Sequence, residues 1–280
     1  MNCAEEVELA DLMVELHPWG QMARYTRSGG ESMTLAVRVA RANTNRDKVA
    51  FCGYHGWHDW YLAANLKGGD ELKEHLLPGL DPLGVPKGLL GTALPFNYND
   101  LESLKKIITS NQGEIAAIVM EPIRSVEPKP GFLEGVRALA DECGAVLIFD
   151  EITSGFRINN GGAHLLYGVD PDIAVFAKGI SNGYPMGIVF GKESVMQSAQ
   201  STFISSTYWT ERIGPVAAIA TIRKFCTNNA YKKLISIGKM VQEGWRNASL
   251  TNELDIHISG IYPLSYFNFN HYSDLYKIFK

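Results

Sequence analysis

Two charged residues close two short apolar runs. Val146-Leu147-Ile148-Phe149 ends on Asp150, and Ile173-Ala174-Val175-Phe176-Ala177 ends on Lys178. Runs this short, rich in β-branched and aromatic residues, read as strands buried on both faces, the pattern of a parallel sheet. In open parallel sheets, ligands bind just beyond the carboxyl ends of the strands. A carboxylate and an amine at such ends would face one crevice and serve a cofactor that needs one acid and one amine.

Two further stretches could do chemistry. Ser28-Gly29-Gly30-Glu31-Ser32 precedes Met33, Ala36, Val37 and Ala40, which recur at helical spacing. A helix that opens on glycines offers free backbone N–H groups and room for an anion, so a phosphate site is one reading. An ordinary loop capped by Ser28 is the other. Gly53-Tyr54-His55-Gly56-Trp57-His58-Asp59-Trp60 gathers two histidines and an aspartate among aromatic residues. Metal ligation by His55, His58 and Asp59, as in a metal hydrolase, is conceivable, but flanking glycines and the lack of a regular helical ligand pair argue against it. An aromatic platform for a flat ligand, or an aromatic-rich loop over a core, fits better.

The elements that must position these residues alternate. Residues 4–16 have the spacing of a surface helix, broken at His17-Pro18-Trp19-Gly20 and followed by a short strand over 22–26. Strands are expected at Lys48–Cys52, Ile115–Met120 (ending on Glu121-Pro122) and Ile188–Phe190. Helices are expected over 101–110, over 132–143 before Gly144, and over 232–247, with an Ala-rich helix of roughly three turns after Pro215. Residues 67–100, rich in Gly, Pro and Leu, read as a long irregular connection, and residues 256–280 as a strand followed by a partial helix. Helix and strand in repeated alternation imply βαβ crossovers and an α/β fold with a mostly parallel sheet.

Composition narrows the class. The chain has 280 residues, 46% hydrophobic and 20% charged, with a net charge of −4. That is globular composition, with no basic footprint for nucleic acid and no membrane-surface patch. No run of eighteen apolar residues spans a membrane, and the acidic N-terminus has no signal-peptide core. The four scattered cysteines suit a reducing compartment, and a cytoplasmic location is expected.

Taken together, these segments resemble the class III pyridoxal-phosphate aminotransferases, and most closely the glutamate-1-semialdehyde 2,1-aminomutase branch. The resemblance rests on Ser28-Gly29-Gly30-Glu31-Ser32, Gly53-Tyr54-His55-Gly56, Glu121-Pro122, Lys129-Pro130-Gly131-Phe132-Leu133, Asp150-Glu151-Ile152-Thr153-Ser154-Gly155-Phe156-Arg157, and Ala177-Lys178-Gly179 with Gly183-Tyr184-Pro185-Met186-Gly187, in the family's order over about residues 5–225. It implies a fold type I transferase with a mostly parallel, seven-stranded-type sheet between helices, normally a homodimer that acts on a small amino donor and acceptor. It implies pyridoxal 5'-phosphate as cofactor, held by Lys178 as a Schiff base, with Lys178 then serving as the base of a 1,3-proton shift. Asp150 would partner the pyridinium nitrogen. Ser28, Gly29 and Gly30 would hold the phosphate, and Tyr54 would stack on the ring, with His55 beside it. Ile152, two residues beyond Asp150 on the same strand, would press from the other side. Glu121 would be a polar neighbour. Thr210, or failing it Thr207, would reach the phosphate of the neighbouring subunit.

This sequence departs from the family pattern at Gly30 and Ser32, both small enough for phosphate binding to survive, and at Thr210-Glu211-Arg212-Ile213-Gly214-Pro215, which points to a divergent branch with a different substrate pocket near the dimer interface. Residues 1–250 are expected to form the large cofactor-binding domain and 251–280 the start of a small C-terminal one. Both ends look cut short against the family, which leaves open a cofactor-binding but inactive remnant that acts only as an interaction partner. It also predicts aromatic surface left uncovered in the tail.

Overall fold

The computed structural model describes residues 3–68, 71–72 and 81–270. Nine strands and eight α-helices appear among them. The strands are β1 (Met22–Thr26), β2 (Lys48–Cys52), β3 (Ala93–Pro95), β4 (Ile115–Met120), β5 (Val146–Asp150), β6 (Ile173–Phe176), β7 (Gly187–Gly191), β8 (Ile256–Ser259) and β9 (Tyr266–Phe269). The helices are α1 (Ala4–Leu16), α2 (Gly29–Thr44), α3 (Asp59–Leu62), α4 (Leu101–Ser110), α5 (Phe132–Cys143), α6 (Glu193–Met196), α7 (Ile213–Thr227) and α8 (Ala230–Thr251).

Seven strands form one sheet in the order β1-β7-β6-β5-β4-β2-β3. Strands β2 to β6 pair in parallel, whereas β7 runs antiparallel to both β6 and β1. The expected parallel α/β sheet is therefore present, with one reversed strand that periodicity did not reveal. A short edge strand, β3, also lies inside the connection that reads as irregular; Leu77-Pro78-Gly79 of that connection is outside the described residues.

Alternation along the strands sorts side chains onto two faces. Val49, Phe51, Ala117, Val119, Ile148 and Val175 pack under Met33, Ala36, Val37 and Ala40 of α2. Ala50, Ile118, Met120, Leu147 and Phe149 face the other way, against Leu133, Val136 and Ala140 of α5. Ala174, Phe176, Ile188 and Phe190 meet Leu9 and Met13 of α1 and Ile219 and Ile222 of α7. Asp150 shares parity with Ile148, so its side chain belongs to the α2 face. Glu151 follows the opposite parity.

Several boundaries differ from expectation. α7 starts at Ile213, before Pro215, and runs 15 residues; proline is tolerated in a first turn because the N–H it lacks would have no intrahelical partner. The tail forms two antiparallel strands rather than one, and the partial helix expected after them falls outside the described residues. Of its aromatic residues, Tyr262 and Tyr266 stay exposed, as expected, whereas two phenylalanines are partly covered. Phe267 stacks edge-on against Trp245 of α8 at 5.1 Å and against Phe269 at 5.6 Å.

Candidate active site

A cavity of about 340 Å³ opens at the carboxyl ends of β5 and β6. Its wall includes Ser28, Gly29, Gly30, Tyr54, His55, Asp150, Ile152 and Lys178.

The phosphate-loop candidate is the first turn of α2. Ser28 caps that helix by accepting from the Glu31 amide at 3.4 Å, while Glu31 reaches back to the Arg27 amide at 2.8 Å. These reciprocal bonds fix the turn. A Cβ on Gly29 would lie 3.0 Å from Ile152 Cδ1, and one on Gly30 3.0 Å from the His58 ring. The glycines thus keep the helix start narrow enough to meet its neighbours and leave its N–H groups open.

Asp150 is buried and held at both oxygens. Oδ1 accepts from the Ile152 amide at 3.0 Å, and Oδ2 meets His55 Nδ1 at 2.8 Å. His55 Nε2 faces the Cys52 carbonyl at 3.0 Å. A carbonyl only accepts, so Nε2 carries a proton. The proton between Nδ1 and Asp150 then sets the charge of the pair.

Lys178 reaches the cavity by an unexpected route. β6 ends at Phe176, so the lysine does not terminate the strand. Continued alternation would have sent Lys178 to the face of Phe176, away from α2. Instead its backbone is left-handed, with φ +49°, and the side chain turns into the cavity. A non-glycine residue there stores roughly 1–3 kcal/mol of strain, which clusters at functional sites. Nζ donates to Thr153 Oγ1 at 2.9 Å, and Arg157 Nε holds the Thr153 carbonyl at 2.7 Å. Burial, helped by the Arg124 charge, pulls the Lys178 pKa down, against Asp150 and Glu121.

Ile152 also arrives differently. β5 stops at Asp150, so Ile152 sits in a turn rather than on the strand, and the Asp150–Ile152 hydrogen bond sets its position. Two expected residues are not in the cavity wall. Glu121 sits behind it, bonded to Arg124 Nη1 at 2.8 Å and facing Tyr54 N at 3.5 Å. Burial and the nearby Asp150 push its pKa up to about 6. Thr210 and Thr207 share one turn, and neither lines the cavity of their own chain.

Residues the sequence reading did not assign also line the wall: Arg27, Gly56, Trp57, Thr153, Ala177 and Tyr184-Pro185-Met186. Arg27 could have been suspected, since it directly precedes the Ser-Gly-Gly turn. The histidines of the metal alternative are separated: His55 serves Asp150 and His58 Nδ1 meets Thr34 at 2.9 Å. Among the described residues no group of three or more His, Cys, Asp or Glu is placed to hold a metal ion.

This fold is that of the transaminases. An omega-transaminase from Sphaerobacter thermophilus superposes with a TM-score of 0.83 at 26% identity, covering 97% of this chain and 64% of that one. The chain belongs to the class-III aminotransferase family, whose sequence model matches residues 1–257. It is 43% identical over 215 residues to a 3-aminobutyryl-CoA aminotransferase of Cloacimonas acidaminovorans (strain Evry), covering 74% of this chain and 48% of that protein. It is 36% identical over 273 residues to a glutamate-1-semialdehyde 2,1-aminomutase of Roseiflexus castenholzii, covering 94% of this chain and 61% of that protein. The chain thus spans about half to three-fifths of the length of these curated relatives.

Proposed function

We propose that the protein moves an amino group between small molecules, or within one, with pyridoxal 5'-phosphate held at Lys178. The observation that carries this reading is the meeting of Lys178 and Asp150 in one cavity, the amine with its pKa drawn down and the carboxylate fixed by two partners. The residues suit the group: an amine for its aldehyde, a carboxylate for its ring nitrogen, and a helix start with glycines for its phosphate. When bound, the cofactor supplies an electron-withdrawing ring that lets a proton leave the carbon bearing the amino group.

The chain's own groups then divide the work. Lys178 Nζ would be the base of a 1,3-proton shift, taking a proton from the substrate carbon that bears the amino group, which requires the neutral amine that burial favours. Thr153 Oγ1 orients that amine. Asp150 holds a proton on the ring nitrogen, and His55 holds Asp150 in place. Ser28, Gly29 and Gly30 receive the phosphate, while Tyr54 and Ile152 confine the ring and exclude water. Glu121 acts from behind the wall. In the homodimer, in the cytoplasm, Thr210 reaches the partner subunit's cofactor phosphate. That role agrees with its place on an exposed turn outside its own chain's cavity. Residues 251–270 begin a second, smaller unit.

The test is direct. Wild-type protein purified with the cofactor is coloured, borohydride fixes the cofactor on the peptide containing Lys178, and amino donors release a keto or aldehyde product. Lys178→Ala loses the adduct and at least about a thousandfold in turnover. An unchanged adduct in that variant would exclude Lys178. Cofactor binding without product from any donor would favour the remnant reading.

A further inference from the structure

We infer that Arg27 is the cation that fixes the anionic end of the ligand in this cavity, an inference that rests on the pyridoxal-phosphate reading above. A phosphate at the start of α2 would meet N–H groups and no hydroxyl from residue 30, which is glycine. The start of a helix carries only about half a positive charge, too little for a dianion. His55 is taken up by Asp150 and Cys52. Among the described residues that leaves two basic side chains in the wall, Lys178 and Arg27. Lys178 is assigned to the opposite function, binding the aldehyde as a neutral amine. Arg27 directly precedes Ser28, Gly29 and Gly30, and the four line the wall together.

The guanidinium is positioned but not used up. Nη1 donates to the Thr26 carbonyl at 3.0 Å and to Met186 Sδ at 3.3 Å, a weak acceptor. Nη2 donates to the Glu211 carbonyl at 3.2 Å and pairs with its carboxylate at 3.2 Å. Nε is buried and has no partner among the described residues.

Glu211 does not neutralise Arg27 outright, because it also serves α7. Its carboxylate accepts from the Ile213 amide at 2.8 Å and the Gly214 amide at 2.9 Å. Those bonds also hold Glu211 without Arg27, so removing the guanidinium leaves no orphaned carboxylate. Arg27 therefore ties the α2 turn to the turn before α7 and lines the cavity beside Ser28, Gly29 and Gly30.

The experiment compares pyridoxal 5'-phosphate with pyridoxal, which has the same ring and aldehyde without the phosphate. Both are titrated against the 280-residue protein, its Arg27→Met variant and its Arg27→Lys variant, following tryptophan quenching, with melting temperature in parallel. Arg27→Met is expected to weaken pyridoxal 5'-phosphate about 10- to 100-fold, leave pyridoxal within about twofold, and reduce competition by inorganic phosphate. Arg27→Lys is expected to recover part of the loss, as a charge without the planar fork. An unchanged preference for the phosphorylated form in Arg27→Met overturns the inference. So does equal weakening of both ligands with a lowered melting temperature, which would make Arg27 only a strut. So does intact cofactor binding with a raised KM for carboxylate-bearing amino donors, which would move the charge to the substrate. If wild-type protein binds neither ligand, the cofactor reading itself fails, and that outcome is distinct from the others.

Discussion

Asp150 and Glu151 are adjacent, and each holds a histidine, yet they do opposite things. Asp150 faces the cavity and takes His55 at 2.8 Å. Glu151 faces the other side of the sheet, where Oε1 accepts from the amide and Nδ1 of His164 at 2.9 and 2.7 Å, and Oε2 from Ser154 Oγ at 2.6 Å. His164 Nε2 in turn accepts from Trp19 Nε1 at 2.9 Å, so the ring is neutral and its one proton points at Glu151. Burial pushes the Glu151 carboxyl up, but hydrogen bonds from His164 and Ser154 outweigh it and hold the pKa low. Stacked on His164 at 5.7 Å is His17, whose Nε2 accepts from the Gly162 amide at 2.9 Å. The same pairing of carboxylate and imidazole is ligand-facing on one side of β5 and a closed structural knot on the other. What differs is the proton count and access to the cavity.

The first way to break this comparison is to neutralise each acid in turn. Asp150→Asn should lose about a thousandfold in turnover and shift stability by less than about 1 kcal/mol, because the amide keeps the bond to the Ile152 N–H. Glu151→Ala should leave three buried donors unsatisfied and lose about 3 kcal/mol or more in urea unfolding. Cofactor affinity of the molecules that remain folded should be nearly unchanged. If Glu151→Ala instead emptied the site while the fold held, the division between the two faces would be wrong.

A second test uses pH. Burial lowers the His17 pKa to about 4, from an ordinary 6.5. The folded state thus resists protonation. The stability this represents is complete above pH 6.5 and is lost as pH falls through about 4, amounting to about 3 kcal/mol. Unfolding midpoints at several pH values should fall across that window in the wild type, and the slope should flatten in His17→Gln. An unchanged slope would remove His17 as the acid-sensitive group of the knot.

The smallest effect probes the packing behind the cavity wall. Gly53 has φ +109°, and a Cβ there would lie 2.9 Å from Glu121 Oε2. Gly53→Ala should cost about 1–2 kcal/mol by thermal melting. A neutral result would mean that the Glu121–Arg124 pair yields more easily than Asp150 does.

Much of the site was legible because its determinants are local. Strand runs, the glycine turn and the charged residues that follow the runs are properties of neighbouring residues, so Asp150, Lys178 and residues 28–30 could be placed before any contact was known. The routes were less legible. Ile152 enters from a turn and Lys178 from a left-handed residue, because a strand end is decided by pairing partners distant in sequence. Thr153 and the reversed direction of β7 escaped for the same reason.

The sequence by itself pointed to residues that could carry the chemistry and to a parallel α/β sheet that would collect them, since short apolar runs and glycine-rich turns are features of neighbouring residues. Tertiary structure alone decided which face each acid serves, that the lysine turns back beside Asp150 rather than following Phe176, and that Arg27 joins the wall. Those outcomes depend on where β5 and β6 stop and on what packs across them, and both are set by contacts between segments far apart in the chain.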